Sequence, residues 1–131
     1  MTTVDTNVLV RLLTNDDPVQ SPRAARVFSS DDVFIAKTVL LETEWVLRFT
    51  YRLPPTTIGQ AFEGLLTTAT VTVEDAAAVR TAVDAHRAGM DFADALHMAS
   101  AAGGATKFVT FDRGVGRAAG RAKAAPTVEV L

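Results

Sequence analysis

Short β-prone runs alternate along the chain with longer stretches whose apolar residues recur at helical spacing. Thr2-Thr3-Val4 reads as a first strand, and Asp5-Thr6-Asn7 closes it and opens a helix over Val8–Leu13. The turn Asn15-Asp16-Asp17-Pro18 leads to a helix from Ser21 to Ser29, with Ala24, Val27 and Phe28 inward. Val33–Ile35 is a second strand. Thr38 is the expected cap of a helix reaching about Tyr51, and Leu53-Pro54-Pro55 breaks the chain. A further helix starts at Thr56 and carries Ile58, Phe62, Leu65 and Leu66. Val71–Val73 is a third strand. Asp75 is the expected cap of a helix ending near Arg87 at Gly89, and Asp91 caps one that reaches Ala102 before Gly103-Gly104. Lys107–Thr110 and Thr127–Leu131 are the last strands. The Ala/Gly/Arg/Lys-rich stretch from Gly114 to Ala125 is the one least determined by pattern.

Strands alternating with helices predict an α/β fold of βαβ units around a mostly parallel sheet, with helices on both faces. At 131 residues, with no repeat and no linker, the expectation is one domain over residues 1–131. Cysteine is absent, which removes disulfides, thiolate metal sites and thiol nucleophiles from consideration. No basic segment precedes the first apolar run, and no run approaches membrane-spanning length. A soluble, cytoplasmic protein with no membrane partner is therefore expected.

The formal net charge of −2 at first disfavours a polyanionic partner. Setting aside four acids for metal binding leaves 11 acidic residues against 13 basic ones. The segment Lys107–Lys123 holds Arg113, Arg117 and Arg121 with Asp112 as its single acid, a basic edge that suits a phosphodiester or, more simply, solvent.

Four carboxylates stand out by position. In an open α/β sheet, ligands bind beyond the carboxyl ends of the strands. Asp5 closes the first strand and Asp112 follows the fourth, although a helix cap and a turn would explain them equally well. Glu42 shares a helix face with Val39, Val46 and Phe49, beside Trp45. A carboxylate within an apolar stripe is costly unless paired or bound to metal. Glu44, four residues before Arg48, reads as a surface ion pair. In Asp91-Phe-Ala-Asp94, Asp91 is a cap and Asp94 lies in the first turn, where the helix dipole favours negative charge. His97 lacks a second imidazole or thiol at metal spacing and reads as packed or hydrogen-bonded. Thr6 and Asn7 are placed to support Asp5, or simply to cap.

Val4-Asp5-Thr6-Asn7-Val8-Leu9, Val39-Leu-Leu-Glu42-Thr-Glu-Trp45-Val-Leu47, Asp91-Phe-Ala-Asp94-Ala-Leu-His97 and Val109-Thr-Phe-Asp112 occur in that order. Together they resemble PIN-domain nucleases, most closely the VapC-type toxins of bacterial toxin–antitoxin pairs, and the resemblance covers essentially the whole chain. It implies a PIN-like three-layer fold with a five-stranded sheet of order 3-2-1-4-5. It also implies that Asp5, Glu42, Asp94 and Asp112 form an acidic quartet binding Mg²⁺ or Mn²⁺, with Asp91 a less firm neighbour. Oxygen-only ligands suit such hard cations. The implied activity is that of a Mg²⁺-dependent endoribonuclease, the toxin of a type II pair. Its partners would be an RNA substrate, a cognate antitoxin and a second copy in a homodimer. Arg11, Lys37, Lys107, Arg113 and Arg117 are candidates for contacts to the RNA backbone. Apolar surface near Trp45, Phe49, Leu53 and Phe62 is a candidate for the antitoxin helix, with core packing as the plain alternative.

Two other small α/β families lack their chemistry here. A phosphoryl-accepting receiver would need an acid pair after the first strand, but Asp16-Asp17 follows a helix. A haloacid-dehalogenase-like phosphatase would need an acid where Asn7 stands. The remaining rival is a PIN-like scaffold that binds RNA or a partner without cutting.

Overall fold

A computed structural model describes residues 1–131 and contains seven helices and five strands, all paired in parallel. The chain divides into two units, Met1–Ala76 and Ala77–Leu131.

The first unit runs β1 (Thr2–Thr3), α1 (Thr6–Thr14), α2 (Gln20–Ser30), β2 (Val33–Ile35), α3 (Lys37–Phe49), α4 (Pro55–Thr67) and β3 (Val71–Val73). Its sheet has the order β1-β2-β3, with Thr2 opposite Val33 and Val33 opposite Val71. Val33 and Ile35 are fully buried, as expected for a central parallel strand. They form the core with Leu9 of α1, Leu40 and Leu47 of α3, and Ile58 and Phe62 of α4. Pro54 precedes α4 and Pro55 opens it, where a missing N–H costs nothing.

The second unit contains α5 (Ala76–Arg87, its first residue at the boundary), α6 (Phe92–Ala101), β4 (Lys107–Thr110), α7 (Arg113–Ala122) and β5 (Thr127–Val130). β4 and β5 form their own two-stranded parallel sheet, Lys107 opposite Thr127. Val79, Ala82, Phe92 and Met98 are buried. α5 ends as its sequence predicts. Gly89 takes φ +105, its N–H bonds to His86 O (3.0 Å), and the Met90 N–H bonds to Ala85 O (3.0 Å), a Schellman closure.

Several expectations need correction. The strands form two sheets of three and two, not one ladder of five. β1 is only two residues long and pairs with β2, which leaves it little ladder to offer elsewhere. The stretch Gly114–Ala125 is mostly helix: α7 buries Val115, Ala118 and Ala119 and exposes its arginines. Thr38 does not cap α3. The helix begins at Lys37, whose N–H donates to Glu74 Oε1 at 2.8 Å, so its cap comes from the residue after β3. Asp75 takes φ +50 and directs its carboxylate to Lys37 Nζ (3.2 Å).

The largest correction concerns α3. Its buried face is Leu40, Thr43, Glu44 and Leu47, and Glu42 is exposed. Glu44 does pair with Arg48, but not on the surface: its side chain is 1% exposed, and Arg48 Nε and Nη2 donate to its two oxygens at 2.8 and 3.2 Å. The bidentate pair makes burial of the acid tolerable. Trp45 and Phe49 are therefore outside, 54% and 53% exposed, with ring centroids 5.0 Å apart and the Arg48 guanidinium 4.5 Å from the Phe49 ring centroid. Phe62 is core.

A second polar cluster ties α1 to the end of α3. Asp16 accepts hydrogen bonds from Thr14 Oγ1 and Tyr51 Oη, both 2.8 Å, and pairs with Arg11 at 3.2 Å. These partners hold its carboxyl below the usual 3.8, the Thr14 and Tyr51 hydrogen bonds first.

Two outcomes follow for stability. Arg48→Ala leaves a buried carboxylate without its guanidinium and is expected to cost roughly 2–3 kcal/mol in urea unfolding, whereas Glu42→Gln stays within about 0.5. Because the folded-state pKa of Asp16 is lowered, its charge stabilises the protein above the ordinary value of 3.8, and this is lost as pH falls through the folded value. Asp16→Asn should therefore be less stable than wild type at pH 7, with the difference shrinking in acid.

Candidate active site

In the first unit, the chain leaves β1 through buried Val4 and turns at Asp5 into α1. Asp5 has extended backbone (φ −88, ψ 176), and its Oδ1 accepts from Val8 N at 3.1 Å. The N-cap is real, and it aims the carboxyl group at the open end of α1. The next residue, Thr6, donates its hydroxyl to Glu42 Oε1, joining the start of α1 to the exposed face of α3. Asp5, Thr6, Asn7, Glu42 and Val46 line a hollow of about 300 Å³. A second hollow of about 340 Å³ shares Asp5 and Asn7 and is walled by Arg11, Gln20 and Arg23. Nothing in the sequence singles out Arg23, which is one of two exposed arginines on α2, the other being Arg26.

In the second unit, Asp91 caps α6, its Oδ2 accepting from Asp94 N at 3.2 Å. Asp94 lies half-buried in the first turn. Burial pushes its carboxyl above the usual value; the negative charges of Asp91 and Asp112 add to this, and His97 opposes it. His97 itself is exposed on α6, not packed. Asp112 caps α7: its Oδ1 accepts from Gly114 N at 2.7 Å, and its own N–H donates to Thr110 Oγ1 at 3.0 Å. Asp94 thus stands in the negative field of Asp91 and Asp112, which a cation would offset.

The structure thus links Asp5, Thr6, Asn7 and Glu42 in the first unit, and Asp91, Asp94 and Asp112 in the second. No three histidine, aspartate or glutamate side chains are spaced to hold one metal ion. The donors fit a hard cation in kind, being carboxylate oxygens throughout, but they do not make a finished ligand set.

The basic candidates divide sharply. Arg11 is held by Gln20 Oε1, Asp16 and Tyr51 Oη. Lys37 is paired with Asp75, and Lys107 with Glu129 at 2.6 Å. Those three serve the fold. Arg113 and Arg117 stand exposed on α7.

A family model described as PIN domain matches residues 2–121, nearly the whole chain. The chain belongs to the PIN-domain family. The match includes every acid placed above and all of α7 as far as Arg121. No individually curated protein matches the chain. PIN domains are generally metal-dependent nucleases, so nuclease-type chemistry is the activity to which this PIN domain is suited.

Capping and charge are separable at these positions. Asp5→Ala and Asp112→Ala should each cost about 1 kcal/mol of stability through the lost cap, while the Asn variants stay within about 0.5 kcal/mol, since Asn caps as well as Asp. Thermal or urea unfolding of the four variants checks this.

Proposed function

We propose that this PIN-domain protein is a Mg²⁺- or Mn²⁺-dependent endoribonuclease acting as the toxin of a type II toxin–antitoxin pair. The observation that carries the reading is the placing of the acids. Asp5 and Asp112 are each fixed at a helix N-terminus, with one oxygen bound to backbone N–H. Asp94 is crowded by neighbouring negative charge. Negative charge crowded in this way around Asp94 by Asp91 and Asp112 is costly for a fold to keep unless a cation offsets it.

Asp5, Glu42, Asp94 and Asp112 would hold the ion, which would supply the Lewis acidity and charge neutralisation that phosphodiester hydrolysis needs. The chain's own part is orientation. Thr6 fixes the rotamer of Glu42 by its hydroxyl. Asp91 holds the first turn of α6 and with it the backbone of Asp94. Thr110 steadies the backbone of Asp112. Asn7 lines the hollow beside Asp5 and is placed to orient a phosphate oxygen.

The partners proposed with this reading are RNA, a second copy of the chain in a homodimer, and a cognate antitoxin. The exposed Trp45–Phe49 pair on α3 is the apolar surface available to an antitoxin helix. No helix is long and apolar enough to cross a membrane, and we place the activity in the cytoplasm.

Cleavage of a labelled RNA in Mg²⁺ or Mn²⁺, abolished by EDTA, is the expected result. Asp5→Asn, Glu42→Gln and Asp94→Asn should each lower the rate by more than about 100-fold with unchanged far-UV circular dichroism. Thr6→Val, which removes only a supporting hydrogen bond, should cost roughly 10- to 100-fold. RNA bound but left intact in both metals would identify a scaffold instead.

A further inference from the structure

The acids leave unexplained the most asymmetric helix of the molecule. α7 buries Val115, Ala118 and Ala119 and carries Arg113, Arg117 and Arg121 at i, i+4 and i+8, all exposed. Residues four apart lie on one face, about 6 Å apart along the axis. The three guanidinium groups therefore form a single row about 12 Å long. None of them makes an ion pair. No acid lies within the helix to relieve the row, and Lys123, its C-cap, adds a fourth positive charge. Like charges at i, i+4 destabilise a helix, so packing within this chain does not account for the row.

The row begins beside a second unusual residue. Phe111 is 81% exposed, the most exposed aromatic of the chain's large apolar side chains left in solvent. It immediately precedes Asp112, the cap of α7. An aromatic face next to a file of cations has the two elements that bind single-stranded nucleic acid, a stacking platform and a backbone track. A regular duplex would offer no splayed base to such a ring.

We propose that Phe111 and the α7 arginine row form a track for single-stranded RNA, the ring stacking on one base and Arg113, Arg117 and Arg121 each holding a backbone phosphate. The choice of RNA as the polyanion rests on the nuclease reading. The track itself rests on the helix. It starts at Asp112 and runs away from it, so it grips the strand to one side of that carboxylate. A second copy of the chain seated on the same surface would have to accommodate another row of unpaired arginines, which charge opposes.

The test is fluorescence anisotropy with a labelled 12-nucleotide single-stranded RNA, the same sequence as duplex, and a KCl series, all in EDTA so that cleavage plays no part. Single-stranded RNA should bind more tightly than duplex. Each Arg→Gln change should reduce the slope of log Kd against log salt by about 0.7, and the triple variant by about 2. Arg→Lys at all three positions should retain the slope. Phe111→Ala should weaken binding on the order of tenfold and leave the slope unchanged.

An unchanged slope in R113Q/R117Q/R121Q overturns the track, as does Phe111→Ala binding like wild type. So does a dimer, seen by sedimentation, that Phe111→Ala dissolves without affecting RNA binding. The two readings fail separately. Binding with these slopes but no cleavage in Mg²⁺ or Mn²⁺ removes the nuclease and keeps the track, and cleavage with an unchanged KM in the triple variant does the reverse.

Discussion

Backbone N–H groups at the start of a helix have no partner within it, and in this protein carboxylates supply several of the missing acceptors. Asp5 serves α1, Asp91 serves α6 and Asp112 serves α7. The same bond does two jobs. It settles where each helix begins, and it immobilises an acid at a helix end that carries partial positive charge. Asp5 follows a strand of its unit by two residues and Asp112 by two, so the strand ends decide where these carboxyl groups stand. Glu42 and Asp94 come from helix surfaces, and each is steadied by a neighbour: Glu42 by the Thr6 hydroxyl, the Asp94 backbone by Asp91. Acids placed this way within each unit need few residues beyond those that start the helices.

This explains why capping and metal binding cannot be told apart from the sequence at these positions. At Asp5, Asp91 and Asp112 the geometry shows the cap, and a capping carboxylate still has oxygen lone pairs to offer a cation. Strands were legible because their apolar runs are short and bounded, and every one of the five lies where its pattern placed it. The joining of those strands was not legible, because pairing depends on how much backbone edge each presents, and β1 presents two residues. α7 was obscured by its Ala and Gly content, since Ala118 and Ala119 bury well without looking like a hydrophobic stripe.

α3 shows a different failure. Two faces of that helix satisfy the same periodic rule: Val39, Glu42, Val46 and Phe49 on one, Leu40, Thr43, Glu44 and Leu47 on the other. Counting apolar residues favours neither decisively. What decides is that Glu44 can take Arg48 with it as a bidentate partner, which a surface pair would have no need to do. The exposed face then keeps Glu42 accessible and leaves Trp45 and Phe49 in water. Glu42 is thus an accessible acid beside a hollow, not a buried one in want of a partner. Of the cations named from sequence, those near acids in space turned out to be fastened to them, a relation no linear spacing announces.

Gly116 controls an orientation it takes no part in. A Cβ at that position would lie 3.1 Å from Val130 Cγ2, on a stiff, branched side chain of β5, so the bare backbone there lets the helix nestle against the strand. The contact constrains roll about the helix axis, and with it the bearing of the guanidinium groups about a quarter-turn round the helix. Bulk added at 116 would turn that bearing without changing the number of charges, so a residue with no side chain helps to aim the longest ones of α7.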